Sequence, residues 1–316
     1  MGKFFKVCFI IGIICIGIGV AASAAGISLG GLTQLKDQVL KGEWSYDLKD
    51  IMGESSGIDI DIEPFFELEQ QSFFDDQVEV QEDIQKQEFS FSTEGLTDIH
   101  VKSAGVTVKF MSHNGSEILV YASKTGKYQN YIRENELSII ASGHSEKDLG
   151  EGVVEILVPQ KLLDTSGLDL EVRAGASVIE MGNFAVKEAD FEVNAGTVTW
   201  EGLSARELSI DMAAGALNGK NTYVLGSTEV DMNAGSVELA GSLGKETEIE
   251  ILAGKISMTL DNAYTDFNYD ISCAGGSVTI GEEQLQGLGK ELKQNNQAPN
   301  SMDIECSAGA VNIQFQ

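Results

Sequence analysis

Val230–Gly235 reads VDMNAG and Ile249–Gly254 reads IEILAG, and the reading of this pair decides the fold. The same text recurs as LEVRAG at Leu170–Gly175, FEVNAG at Phe191–Gly196 and IDMAAG at Ile210–Gly215. Looser copies end at Gly276 (ISCAGG) and Gly309 (IECSAG). The steps between these glycines are 21, 19, 20, 19, 22 and 33 residues, with an insert near 282–300 in the last. Ser103-Ala104-Gly105 reads as an earlier, divergent rung.

Side chains alternate across a strand, so period 2 sorts each repeat into two faces. Five residues before each glycine stand Leu170, Phe191, Ile210, Val230, Ile249, Ile271 and Ile304. Three before stand Val172, Val193, Met212, Met232, Ile251, Cys273 and Cys306. Two after stand Val198, Leu217, Val237, Ile256, Val278 and Val311, and one extra residue in the first rung brings Val178 into line. These columns predict one shared interior, and the Ala-Gly pair predicts a corner where a Cβ would crowd the bend or force a disfavoured φ. One short strand-turn-strand unit cannot bury its own apolar face, whereas stacked units bury a continuous core. The expected fold is all-β: a single-stranded β-helix, or β-solenoid, of about 20-residue rungs. A β-sandwich is the alternative, though a sandwich has no need of near-constant spacing. Less regular alternating segments at 88–92, 99–101, 106–110, 117–122, 136–141 and 153–158 fit the capping end of such a solenoid.

The outward columns carry acid. Four before the glycine stand Glu171, Glu192, Asp211, Asp231, Glu250, Ser272 and Glu305; six before stand Asp169, Asp190, Ser209, Glu229, Glu248, Asp270 and Asp303. Twelve of these fourteen positions are carboxylates. Stacked at rung spacing they repel, and solvent, protonation or bound cations must relieve them. One reading is a soluble face that discourages edge aggregation. The other is a surface for divalent cations, a cationic peptide, a wall component or an envelope protein. Calcium favours several carboxylate oxygens, but no EF-hand loop is present, so any calcium site is expected to be weak and superficial.

The formal charge of −28 excludes nucleic acid as a partner, since phosphate binding needs clustered Lys and Arg. No P-loop, nucleophile elbow or dinucleotide fingerprint occurs, and His100, His113 and His144 have no metal-ligand spacing. A catalytic carboxylate pair should be a local exception, whereas these recur in every rung. The reading is non-enzymatic, without a cofactor. Cys273 and Cys306 share an inward column on rungs expected to be neighbours, where they fill the core or form a disulfide.

Val7–Leu32 is 26 residues without charge, preceded by Lys3 and Lys6. That length spans a bilayer and the lysines place the N-terminus in the cytoplasm. Residues 1–35 therefore read as one N-terminal transmembrane helix, or a signal sequence ending near Ala22-Ser23-Ala24. Gly26 and Gly30 have the spacing of a helix-dimer face. Residues 36–87 read as an acidic linker, since 43–94 carry 16 Asp or Glu against two Lys. A short helix around Asp75–Gln87 is a further expectation. Residues 88–316 are then the repeat domain, outside a single-pass cell-membrane anchor.

The anchor, the acidic spacer, the VEILVP segment at Val154–Pro159 and the strand-Ala-Gly-strand units together resemble the bacterial "putative adhesin" family. This is a domain of unknown function built of β-strand repeats, in envelope proteins of Gram-positive bacteria. The resemblance covers roughly 88–316 and implies a β-helical fold and a surface location; the family has no site residues to transfer. Two function classes follow: an adhesion or structural surface module, or a membrane-anchored accessory of envelope-stress or regulatory signalling.

Overall fold

In the computed structural model, the structure describes residues 86–123, 126–143 and 152–316. The expected transmembrane segment with its Gly26/Gly30 spacing, the expected acidic linker and His144 lie outside these residues. So does the helix expected around Asp75–Gln87, except that Lys86 and Gln87 open a strand instead. No helix among the described residues is long and apolar enough to cross a membrane.

The first strands are β1 (Lys86–Ser92), β2 (Asp98–Ala104), β3 (Val106–His113), β4 (Glu117–Ser123), β5 (Lys127–Arg133), β6 (Glu136–Ser142) and β7 (Gly152–Pro159). The repeats supply β8 (Asp169–Ala174), β9 (Val178–Val193), β10 (Thr197–Met212), β11 (Ala216–Val224), β12 (Ser227–Met232), β13 (Ser236–Ser242), β14 (Glu246–Ile251) and β15 (Lys255–Leu260). Then follow β16 (Phe267–Cys273), β17 (Ser277–Ile280), β18 (Glu283–Gln286), β19 (Lys290–Gln294), β20 (Asn300–Cys306) and β21 (Ala310–Phe315).

Each rung has a first leg, a glycine corner and a second leg. The legs stack in parallel on their counterparts: β10 on β9, β12 on β10 and β14 on β12 for first legs, with β11, β13 and β15 continuing the second. β9 and β10 run unbroken from the second leg of one rung into the first leg of the next. The inward columns predicted from the repeat are buried at every position except Val178. Burying one such aliphatic side chain is worth roughly 1.5–3 kcal/mol, and the stack repeats it rung after rung. Volume is balanced between rungs. Trp200 stacks on Phe191 at 5.1 Å and lies over Gly219, where a Cβ would sit 2.3 Å from the indole. Its Nε1 donates to Thr222 Oγ1 at 2.9 Å, so the buried polar atom is satisfied.

The corners need glycine for both expected reasons. Gly215 and Gly235 have φ of 112° and 107°, which side chains rarely adopt. A Cβ on Gly215 would also meet the Gly196 carbonyl oxygen at 2.2 Å, and one on Gly235 the Gly215 oxygen at 2.4 Å. The glycines stack on one another with no space between.

Three expectations are corrected. First, Val178 is 39% exposed and Ile179 is buried, paired with Val198. Gly175 stands two residues further from the second leg than the later glycines do, an offset of two and not one, because an odd offset would turn the strand inside out. Second, β8 therefore pairs with β9 two residues out of the expected line: Glu171 lies beside Asp190, and Arg173 beside Glu192. A slide by two preserves faces, so the core is unaffected. Ser177 occupies the place that Gly196 takes in the next rung, and its Oγ accepts from the Val106 N–H at 3.4 Å.

Third, the rungs do not stack in chain order at the ends. The last rung, β20–β21, sits between β14–β15 and β16–β17. At the other end, β2–β3 sits between β6–β7 and β8–β9. Antiparallel strands close both ends: β5 on β6, β4 on β7 and β1 on β4 at one, β19 on β16 and β18 on β17 at the other. The insert at 282–300 is one of these caps. Open solenoid ends would expose strand edges to further pairing, and short polar antiparallel strands cover them.

Candidate functional site

The first legs carry the acidic face, and alternation along each leg sets three outward rows. One row runs Lys102, Arg173, Glu192, Asp211, Asp231, Glu250, Glu305 and Ser272 across successive strands. Five carboxylates stand consecutively in it. The second runs His100, Glu171, Asp190, Ser209, Glu229, Glu248, Asp303, Asp270 and Lys293. Neighbouring strands lie about 4.8 Å apart, so Asp211, Asp231, Glu250, Glu248 and Asp303 each have like charges on both sides. The third row contains Asp98, Asp169, Glu188, Glu207, Ser227 and Glu246.

All twelve predicted carboxylates lie on this face. The slide at β8 moves Asp169 into the third row and Glu171 into the second, and the rung order places Glu305 before Ser272. Sequence reasoning missed Glu188, Glu207 and Glu246. They stand eight before their glycines, one step further along the same period-2 count. It also missed the basic residues that close the rows.

Those bases sit only at the ends. His100 lies between two carboxylates, with Nδ1 3.3 Å from Glu136 and Nε2 3.1 Å from Glu171. Arg173 Nε reaches Glu171 at 2.5 Å and Glu192 at 3.2 Å, and Lys187 reaches Asp169 at 2.7 Å. At the other end Lys293 pairs with Asp270 at 2.6 Å. Among the described residues no ion pair reaches Asp211, Glu229, Asp231, Glu248, Glu250, Asp303 or Glu305. These long side chains leave the charge in water, where isolated pairs contribute little and repulsion is screened rather than cancelled.

The repulsion is visible in proton affinity. Partial burial, then the Asp211 charge, raises Asp231 above the ordinary aspartate range. Glu250 is raised chiefly by Asp231, then by burial and Glu305. Burial leads at Asp190 with Glu171 beside it, at Asp303 with Asp270 beside it, and at Glu188 with Asp169 beside it. No group of three or more carboxylate, histidine or cysteine side chains converges as a metal site among the described residues. The face is a ladder with its oxygens spread along it, unlike the convergent cage that calcium favours.

Ser138 lies beside His100 on the neighbouring strand, but its hydroxyl donates to Glu136 and not to the imidazole. His113 Nε2 meets the Glu117 carbonyl at 2.9 Å and Nδ1 accepts from the Gly115 N–H at 3.2 Å, while His100 is held by its two carboxylates. Cys273 and Cys306 are register partners on β16 and β20, and both thiols are free and buried. Burial and the neighbouring Cys273 thiol push Cys306 up to about 11.

With the stacked rungs and their rows established, comparison with known proteins places the chain. The pattern described as Toastrack DUF4097 matches residues 96–258 and again 169–314. The chain belongs to the Toastrack DUF4097 family. The two Toastrack matches overlap over 169–258, as repeated rungs allow. Solved structures with a likeness to it include one called a putative cell adhesion protein, from Clostridium sporogenes. That structure is 11% identical, covering 73% of this chain and 99% of that one at a TM-score of 0.30. A putative adhesin from Bacteroides fragilis is 10% identical, covering 74% of this chain and 100% of that one, at 0.40. A putative adhesin from Parabacteroides merdae is 9% identical, covering 73% and 96%, at 0.26. No curated protein matches the chain.

Proposed function

We propose that this Toastrack protein is a non-enzymatic, adhesin-like binding module of the cell surface, held at the membrane by residues 1–35. Its binding face is the set of carboxylate rows on the first legs. The observation that carries this reading is the uninterrupted run Glu192, Asp211, Asp231, Glu250 and Glu305, with bases confined to the ends of the face. A catalytic pair would be a local exception with a shaped pocket around it, and this face is repetitive and open. Evenly spaced like charges suit a repetitive cationic partner, such as a lysine-rich peptide or a cationic wall polymer, which meets many carboxylates at once. Calcium at millimolar concentration would compete for the same oxygens without a dedicated cage.

The test uses the full chain in detergent, immobilised and titrated with poly-lysine. Binding is expected to weaken steeply with salt and to drop at least tenfold in a variant carrying Asp211→Asn, Asp231→Asn, Glu229→Gln and Glu248→Gln. Equal binding by that variant would remove the face from the proposal. Calcium is the second arm: no binding heat and no change in melting temperature at millimolar calcium discards the cation role.

A further inference from the structure

The second legs carry a different surface. β3 pairs with β9 only from Thr107–Phe110 to Val178–Met181, and then stays with β7 as far as His113. β9 continues past Met181 with β10 on its other side. The sheet therefore splits at this point. A 3₁₀ turn at Gln160–Leu162, which follows β7, walls the split. The resulting groove has a volume of about 440 Å³ and is lined from four successive second legs, β3, β9, β10 and β11. That lies within the usual range for small-molecule sites, about 300–1,000 Å³.

Its far rim is built by a backbone irregularity. β11 shifts register against β13 between Gly219 and Thr222. Asn221, in the extra length, has φ of 46° and donates from Nδ2 to the Glu201 carbonyl at 2.8 Å. Bulges of this kind re-aim side chains, and left-handed non-glycine residues concentrate at functional sites. On the floor, Asn183 lies over Gly202, where a Cβ would come within 2.3 Å of Asn183 Oδ1.

The polar lining is Ser112, Gln160, Asn183, Ser204, Asn221 and Tyr223. None of the residues lining the groove is Asp, Glu, Lys, Arg or His, in a chain of net charge −28. The side chains of Ser112, Gln160, Asn183 and Ser204 have no hydrogen-bond partner among the described residues. Tyr223 is 45% exposed, directly beside Ser204 in the ladder. Amides and hydroxyls offer both donors and acceptors, and an exposed ring offers an apolar face with a polar tip. That combination matches a neutral ligand with many hydroxyl groups and patches of C–H, which is the chemistry of a saccharide. A phosphate, a carboxylate or a cation would find no counter-charge here.

We propose that this groove binds a neutral oligosaccharide, with the sugar ring against Tyr223 and its hydroxyls on Asn183, Ser204 and Gln160. The site is separate from the carboxylate rows, which lie on the first legs. Its failure therefore leaves the acidic face untouched, and the reverse also holds.

The experiment is calorimetry on the full chain in detergent with cellohexaose, mannohexaose and the hexamer of N-acetylglucosamine, against polygalacturonate as the charged counterpart. At least one neutral hexasaccharide is expected to bind with a Kd of about 1 mM or tighter. Tyr223→Ala and Asn183→Ala should each weaken it at least tenfold with the melting temperature unchanged, since both side chains are exposed. Tyr131→Ala, an exposed tyrosine on β5 outside the groove, should leave it unchanged. Three results would each overturn the proposal: no binding by any neutral hexasaccharide, equal or tighter binding of polygalacturonate, or binding indifferent to both groove variants.

Discussion

Asp231→Asn should make the protein more stable. Asp231 is flanked directly by Asp211 on one strand and Glu250 on the next, and no ion pair relieves it among the described residues. Two unit charges one strand spacing apart repel by about 0.9 kcal/mol in bulk water. Splayed side chains reduce this, and directly opposed like charges in sheets cost about 0.2–1 kcal/mol per pair. Two such pairs put the relief near 1 kcal/mol, which is about 2–4 °C in melting temperature for a domain of this size. The assay is thermal unfolding at pH 7.5, in low salt and in 1 M salt. The gain should appear in low salt and vanish in 1 M salt, where the screening length falls to about 3 Å. Arg173→Gln should shift the melting temperature the other way, because it strips the cation from Glu171 and Glu192. An Asp231→Asn protein that is unchanged or less stable in low salt would refute the reasoning. So would a gain that survives 1 M salt, since that gain would not be electrostatic.

Other consequences can be measured with the same protein. Glu188, Asp190, Asp231, Glu250 and Asp303 all hold protons more tightly folded than unfolded. Stability should therefore rise as pH falls from neutrality into the range just above ordinary carboxylate values, and be lost again as pH climbs; a melting temperature that falls steadily from pH 7.5 to 5 contradicts this. Deleting 300–316 removes a rung that lies inside the stack, so both β14–β15 and β16–β17 lose a neighbour. Limited proteolysis should then digest the chain back past β16, whereas a sequentially wound solenoid would lose only its tip. Cys306, raised to about 11 and buried, should resist a thiol reagent at pH 8 in the native protein and react only on unfolding. Peptide mapping by mass spectrometry reads this, and rapid native labelling of Cys306 would contradict it.

Much of the interior and of the acidic face was legible in the residues. The column Leu170, Phe191, Ile210, Val230, Ile249 could face only one way, because period 2 and the cost of exposing it leave no second choice. The glycine corners were legible because their demand is steric and local. Val178 was misread for a related reason: parity constrains a strand only from its corner onward, and the place of Gly175 within the first corner is not written in the repeat. The third acidic row was present in the same count and was overlooked, while the polar groove was beyond reach, since Ser112, Asn183 and Tyr223 belong to different rungs.

The sequence by itself determined the rung, its inward and outward faces, its glycine corner and the charge of its outer face. These follow from alternation, side-chain volume and backbone sterics within one repeat. Only the tertiary structure decided which rung lies on which, the two-residue slide at β8, the antiparallel caps and the split that opens the groove. Every rung presents similar strand edges, so local text cannot tell β16 from β20 as the partner of β14. That choice is made by pairing energies summed over the whole stack and by the path the chain must take between rungs.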